Sequence, residues 1–458
     1  MRYQSMDDLK KSLAGIVETD GKVRVANPEK LRGQAIDRLV FNGVFHENGE
    51  IRQAARDLVR LSGIALGIHS ASILPLYEAR GRRECGGFTV PAINIRGLTY
   101  DMARAAFRAA LRNRVGAVIF EIARSEIGYT HQRPAEYSHA VMAAAIKEGF
   151  TGPLFIQGDH FQASAKNFAK NRHAEVQALK DLIKEAIEAE FFNIDIDSST
   201  LVDLSKPTVR AQQQDNCEVA AELTAFLRPL EPKGVSISVG GEIGEVGGKN
   251  STVEELEAFM EGYREELDKK SKGSKGISKI SVQTGTTHGG VPLPDGTIAR
   301  VKIDFDTLGK LSQVSREKYG LAGAVQHGAS TLPEEAFDHF PRRECAEIHL
   351  ATGFQNMLYD DPGFPQEVKK EIYDHLRKEC AAERKEGETD EQFIYKTRKK
   401  AFGPLKEKFW SLPEEFRKEI GRKLEDRFEF LFKKLNVVDT VSLVREKVPW
   451  DGGERRVA

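Results

Sequence analysis

Seven positions in the middle of the chain carry residue types that do chemistry together. They are Asp159 and His160 in QGDHF, Asp195 and Asp197 in NIDIDSS, Glu242 in VGGEIGEVGG, His288 in QTGTTHGG and His327 in VQHGAS. Imidazoles gathered with a carboxylate suit zinc or another late divalent ion. Such an ion can polarise a substrate carbonyl and stabilise the enolate formed beside it. One histidine at the end of an apolar run is ordinarily structural, and the chain has 11. Three at corresponding run ends, with a carboxylate and neighbouring glycines, point to a metal centre. The glycine-rich pieces fit a second role. In HGASTLPEE, Thr331 and Glu334 have capping-box spacing and Pro333 suits an early helical position. Gly328, Ala329 and Ser330 are therefore expected at a helix start, with free N–H groups for a phosphate. Gly289 and Gly290 extend that cradle. Neither a Rossmann fingerprint nor a Walker A motif is present.

These residues need elements that bring them together. Short apolar runs occur at Val90–Ile95, Gly116–Ile122, Pro153–Gln157, Phe192–Ile196, Val235–Val239, Ile280–Gln283, Gly323–Gln326 and Ala346–Leu350. Helical periodicity fills intervals such as Tyr100–Ala110, Ala174–Ala189 and Glu218–Phe226. Buried strands alternating with helices predict a parallel sheet. From Phe88 to Gln355 the span is 355 − 88 + 1 = 268 residues, near the size of a (β/α)8 TIM barrel, with an open doubly wound sheet as the competitor. In a barrel the carboxyl ends of the strands share one rim, and the candidate residues stand at those ends.

The expected organisation is an N-terminal helical extension over 1–86, an α/β barrel over 87–356 and a C-terminal helical extension over 357–458. In the last, Phe416, Ile420, Leu424, Phe428, Leu431 and Leu435 form one helix face, with a helix start predicted at Ser411. That face suits packing or a homo-oligomer contact. Lys plus Arg total 68 against 69 Asp plus Glu, a net charge of −1, so neither nucleic acid nor an anionic membrane is an expected partner. No apolar run approaches the ~20 residues of a membrane span. The four dispersed cysteines (Cys85, Cys217, Cys345, Cys380) form no CxxC pair, and a reducing cytoplasm is expected. The N-terminus has no apolar signal-peptide core, so the chain is expected to be the mature form.

QGDH, GEIGEVGG, TTHGG and QHGAS, in that order, resemble the class II (metal-dependent) ketose-bisphosphate aldolases, and VPAINI resembles that family's first barrel strand. The resemblance implies zinc bound by His160, His288 and His327. It places Glu242 near the metal, with Asp197 as the carboxylate after strand four and Asp195 as the rival alignment. Asp159 matches the acid/base that moves the proton of the substrate's C4 hydroxyl. Gly289, Gly328 and Ser330 match positions that hold a substrate phosphate. The implied reaction is reversible aldol cleavage of a phosphorylated ketose through a metal-bound enediolate.

Two departures stand out. Where the family has an Asn-Ile-Asp-Thr-Asp-like segment on strand eight, this chain has Glu347-Ile348-His349-Leu350-Ala351. After the double glycine, where the family carries an acid, it has Lys249 and Asn250. Glu347 and His349, two apart on a strand, share a face. They are expected inside the barrel, at the pocket, resetting sugar selectivity. A metal-dependent sugar epimerase or isomerase is therefore an alternative outcome. A second resemblance, of FEIARSEIGYTHQRPAEY and GPLFIQGDH to the accessory, non-catalytic subunit of some tagatose-bisphosphate aldolases, rests on Glu121, Tyr129, Thr130, Pro134 and the GDH triplet.

Overall fold

The computed structural model describes residues 1–244, 248–286, 293 and 303–448. Eight strands form one closed parallel barrel: β1 (Val90–Asn94), β2 (Ile119–Ala123), β3 (Gly152–Gln162), β4 (Asn193–Asp197), β5 (Ser238–Glu242), β6 (Lys279–Val282), β7 (Ala324–Gln326) and β8 (Glu347–Leu350). Each pairs with its neighbour in sequence. Closure comes from β8 alongside β1, in register from Glu347 opposite Val90 to Leu350 opposite Ile93. All eight apolar runs became strands because a strand covered by helices outside and side chains inside is buried on both faces. Helices Thr99–Arg112, Arg172–Glu188 and Gln214–Leu227 turn apolar faces onto the barrel.

Strand β3 departs from the pattern. Gly158 pairs with Ile194, but the next partners are Phe161 and Ile196, so β3 carries an extra residue there. This is a β-bulge. At its centre His160 adopts a left-handed backbone conformation with φ 38°. Consecutive residues of a regular strand point to opposite faces. The bulge instead lets both Asp159 and His160 face the interior.

The flanking segments pack on the base and the flank of the barrel. A short strand, Ile68–Ser70, pairs in parallel with the beginning of β3. Asn193 at the start of β4 accepts from the Ile73 N–H at 2.8 Å and donates to the carbonyls of Ala71 and Ile156. Helix Leu74–Gly81 follows beneath the barrel, and its fully buried Arg80 donates to the carbonyls of Phe88 (2.6 Å) and Cys345 (3.3 Å). At the other end of the chain, helix Glu414–Lys434 buries Phe416, Ile420, Leu424, Phe428 and Leu431. Its Glu425 receives Arg108, at 2.6 Å, and Arg112 from the helix after β1. A turn at Arg398–Ala401 leads to Phe402, whose ring lies against Gly97 in the loop after β1.

Two local expectations are corrected. The segment after β7 forms short 3-10 turns, Ala329–Thr331 and Glu334–Ala336, separated by Pro333 in an extended conformation. Thr331 makes no cap, and no helix N-terminus presents its N–H groups at Gly328 to Ser330. The helix predicted from Ser411 starts at Glu414, with Pro413 at the N-cap and no side-chain cap. Among the described residues, no helix is long and apolar enough to cross a membrane.

A β-carbon at Gly97 would lie 2.2 Å from the Phe402 ring, which is 2% exposed and held by the C-terminal segment. Gly97→Ala is expected to cost about 1–3 kcal/mol, the usual range for overpacking. Gly128→Ala, with nothing within 4 Å, should be neutral or slightly stabilising. Urea denaturation of both variants measures the difference.

Candidate active site

At the carboxyl-terminal rim, His160, Glu242 and His327 each offer a donor atom within 4.8 Å of the other two. The His160 and His327 rings are 4.1 Å apart between centroids. Nδ1 of His160 lies 3.0 Å from Asp197 Oδ2 and 3.3 Å from Glu242 Oε2. Asp197 is itself fixed: Oδ1 accepts from the Ser199 N–H and hydroxyl, and Oδ2 from Gln162 at 2.6 Å. With both oxygens engaged, Asp197 orients the imidazole, the familiar arrangement behind a metal-bound histidine. Burial, reinforced by Asp197, pushes the Glu242 carboxyl up to about 8. Burial opposes a charge on His160, but Asp159 and Glu242 outweigh it and hold its pKa well above the usual imidazole range. Two imidazoles and a carboxylate gathered in a buried cluster fit a divalent ion.

Asp159 stands beside this set, 4% exposed. Its Oδ2 accepts from Asn94 Nδ2 at 3.4 Å, and Asn94 also donates to Glu126 at 2.6 Å. Oδ1 lies 3.2 Å from Nδ1 of His349.

Below the rim lies a second polar layer. Lys279, 1% exposed, donates to Glu347 Oε1 at 2.5 Å and to Gln157 at 2.7 Å, and pairs with Asp195 at 3.0 Å. Glu347 also accepts from Gln157 at 2.8 Å and from the Tyr77 hydroxyl. Burial works against its charge, but Lys279 and His349 hold the Glu347 carboxyl far below the ordinary range. Glu347 and His349 do face the barrel interior, as expected. Glu347, however, is fully buried and surrounded by these partners, one layer beneath the rim. Asp195 belongs to this lower layer, paired with Lys279 and packed against Gly240, whereas Asp197 touches His160.

The C-terminal extension contributes at the mouth. Arg96, after β1, pairs with Glu126 at 2.7 Å and donates to Thr352 and Gln355 at 3.2 Å. The Lys399 ammonium lies 5.7 Å from the centre of the Tyr129 ring and, among the described residues, makes no ion pair. Burial, with Arg96 nearby, lowers its pKa. The Tyr129 hydroxyl is buried, and the Glu126 carboxylate that pairs with Arg96 lies beside it. An ammonium, a guanidinium and a phenol at one edge of the mouth make a setting for an anionic group.

A family model for class-II fructose-bisphosphate aldolase matches residues 81–407, that is 327 of the 458 residues. The chain belongs to the class-II fructose-bisphosphate aldolase family. Solved structures resemble it at low identity. A Sinorhizobium meliloti 1021 protein described as a probable tagatose 6 phosphate kinase superposes with a TM-score of 0.52 at 16% identity, covering 78% of this chain and 98% of its own. Fructose-bisphosphate aldolase from Campylobacter jejuni gives 0.47 at 18%, covering 81% and 97%. The YdjI aldolase from Escherichia coli K12 gives 0.45 at 14%, covering 81% and 98%. At these identities the first likeness speaks to fold alone. No curated protein sequence is a significant match.

Of the site residues expected from the sequence, Asp159, His160, Asp197, Glu242 and His327 converge at the rim, with Glu347 and His349 beneath. Ser330 sits at the same end, where its hydroxyl accepts from the Ala351 N–H at 2.7 Å. Gly328 precedes it with φ 67°. His288 and Gly289 lie outside the described residues. Sequence reasoning missed Asn94, Gln157 and Lys279, although each is a polar residue inside or bordering an apolar run. Arg96, Glu126 and Lys399 carried no comparable signal.

The geometry makes ion binding and proton release one event. Glu242 retains a proton near neutral pH in the ion-free protein, and an ion has to displace it. Zinc affinity is therefore expected to rise with pH through neutrality and beyond about 8, because Glu242 and the strongly basic His160 both have to give up protons to the ion. Competition titrations against a chelator between pH 6 and 9 measure this. Elemental analysis should find about one divalent ion per chain in this centre, lost in His327→Ala.

Proposed function

We propose that the protein is a divalent-metal-dependent lyase, with zinc the favoured ion, that reversibly cleaves a phosphorylated ketose. The observation that carries this reading is the meeting of His160, Glu242 and His327 beside Asp159 at one rim. His160, Glu242 and His327 would hold the ion, together with His288 as the family resemblance implies. A divalent ion bound there supplies Lewis acidity toward a substrate carbonyl.

The protein's own groups supply the rest. Asp159 takes the proton of the hydroxyl on the carbon next to the bond that breaks. As the C3–C4 bond breaks, its electron pair passes toward the carbonyl side, and the hydroxyl carbon leaves as an aldehyde. In the synthetic direction Asp159 returns the proton. Asn94 holds one oxygen of Asp159, and Asp197 holds His160 in a fixed orientation. Lys399, Arg96 and Tyr129 receive the anionic end of the substrate. Lys279 has no part as an imine-forming amine. Burial opposes its charge, yet Asp195 and Glu347 raise its pKa, keeping it an ammonium.

One observation favours a second reading. Glu347 and His349, in place of the family's strand-eight pair, are occupied with internal contacts. The grip on the ketose therefore differs, and the same metal and proton chemistry could end in epimerisation or isomerisation. A non-catalytic accessory role gives no reason for His160, Glu242 and His327 to meet, buried, at one rim. Product analysis separates the readings, because cleavage alone yields two shorter fragments.

Asp159→Asn is expected to keep its metal while turnover falls by roughly 10²–10⁴, the range for a lost acid/base. Near-normal turnover on the best ketose phosphate contradicts the assignment. Lys399→Met should raise KM for phosphorylated substrates and leave KM for unphosphorylated ketoses unchanged. Steady-state kinetics over a panel of both classes checks this.

A further inference from the structure

His349 lies between the two polar layers, 5% exposed. Its Nε2 rests 2.7 Å from Glu347 Oε1. Its Nδ1 lies 3.0 Å from Glu121 Oε2 and 3.2 Å from Asp159 Oδ1. One face of the ring packs on His327, with centroids 4.0 Å apart. These are charge contacts rather than aligned hydrogen bonds, and a swing of the imidazole would leave a carboxylate at one nitrogen or the other without its counter-charge. Glu347 is equally fixed, by Lys279, Gln157 and Tyr77. A connected brace thus runs from the helix beneath the barrel, through Glu347 and His349, to Asp159.

Asp159 needs such support because it sits on the β3 bulge, next to a residue with left-handed backbone. Regular strand geometry does not aim its side chain there. Asn94 reaches Oδ2 at 3.4 Å, a long contact, while His349 faces Oδ1. An aspartate or asparagine at 349 is too short to span Glu347 and Asp159, and a carboxylate there would repel both.

We infer that His349 is a positioning residue, whose imidazole, seated on Glu347 and braced by Glu121, holds the Asp159 carboxylate in its working orientation. This rests on the lyase reading for what Asp159 does, but not for where it points.

The test is a double-mutant cycle in the full-length, metal-loaded protein. His349→Gln should lower kcat by roughly 10–100-fold, the cost of losing an orienting partner. KM should stay within about twofold, since both ring nitrogens face protein carboxylates, and metal content, read separately because the ring packs on His327, should stay at about one ion per chain. In the Asp159→Asn background the same change should cost less than about twofold, because no acid/base is left to position. An equal loss in both backgrounds overturns the inference, as does an effect on KM alone. A crystal structure of His349→Gln supplies a second readout. Asp159 is expected to be rotated while His160 and His327 keep their places, and an unmoved Asp159 overturns the inference. If His349→Gln does not fold, Glu121→Gln takes its place in the cycle with the same expectations and a smaller loss. If the wild type turns over no ketose phosphate, the lyase reading fails, and the crystal structure still decides the positioning.

Discussion

Among the described residues, six carboxylates on the barrel strands (Glu121, Asp159, Asp195, Asp197, Glu242 and Glu347) are each at most 6% exposed, and Lys279 is the one ammonium among them. Buried charge is costly unless paired, so the interior has to find positive charge or take up protons. Much of the rest follows from that constraint. Lys279 compensates Asp195 and Glu347 at the base. Histidines meet the remaining acids above: His349 at Glu121 and Asp159, His160 at Asp197 and Glu242. Burial and the neighbouring Asp159 push Glu121 up to about 8, so part of the excess is settled by a proton. At the rim, a divalent ion can settle what remains.

The terminal extensions serve this interior. Tyr77, in the helix beneath the barrel, donates to Glu347, and Arg80 ties the strand bases together. The C-terminal segment packs Phe402 on the loop after β1 and brings Lys399 to the mouth. The family match itself runs beyond the last barrel strand, to residue 407. The chain beyond the strands therefore helps to close the base and to furnish the entrance.

The barrel was readable because its signals are local: apolar runs bounded by glycines and polar residues, alternating with amphipathic helices. The rim set was readable because Asp159, His160, Glu242 and His327 follow such runs, and a parallel barrel brings their ends together. Three features resisted. The β3 bulge depends on how β3 meets β4, which a single strand's sequence does not encode. Glu347 and His349 were placed on the correct face, but their contacts depend on depth within the barrel, which alternation does not reveal. The helix start expected after β7 had the right cap residues. There the chain passes Pro333 in extended form, and Ser330 bonds across to Ala351 instead.

We propose a barrel built around a divalent ion at its carboxyl-terminal rim. The most direct measurement is a crystal structure of protein purified without chelator, with anomalous data on both sides of the zinc absorption edge. A peak among His160, Glu242 and His327, present above the edge and absent below it, is the predicted result. An interior with no anomalous peak at those three side chains, in protein supplied with zinc, would contradict it.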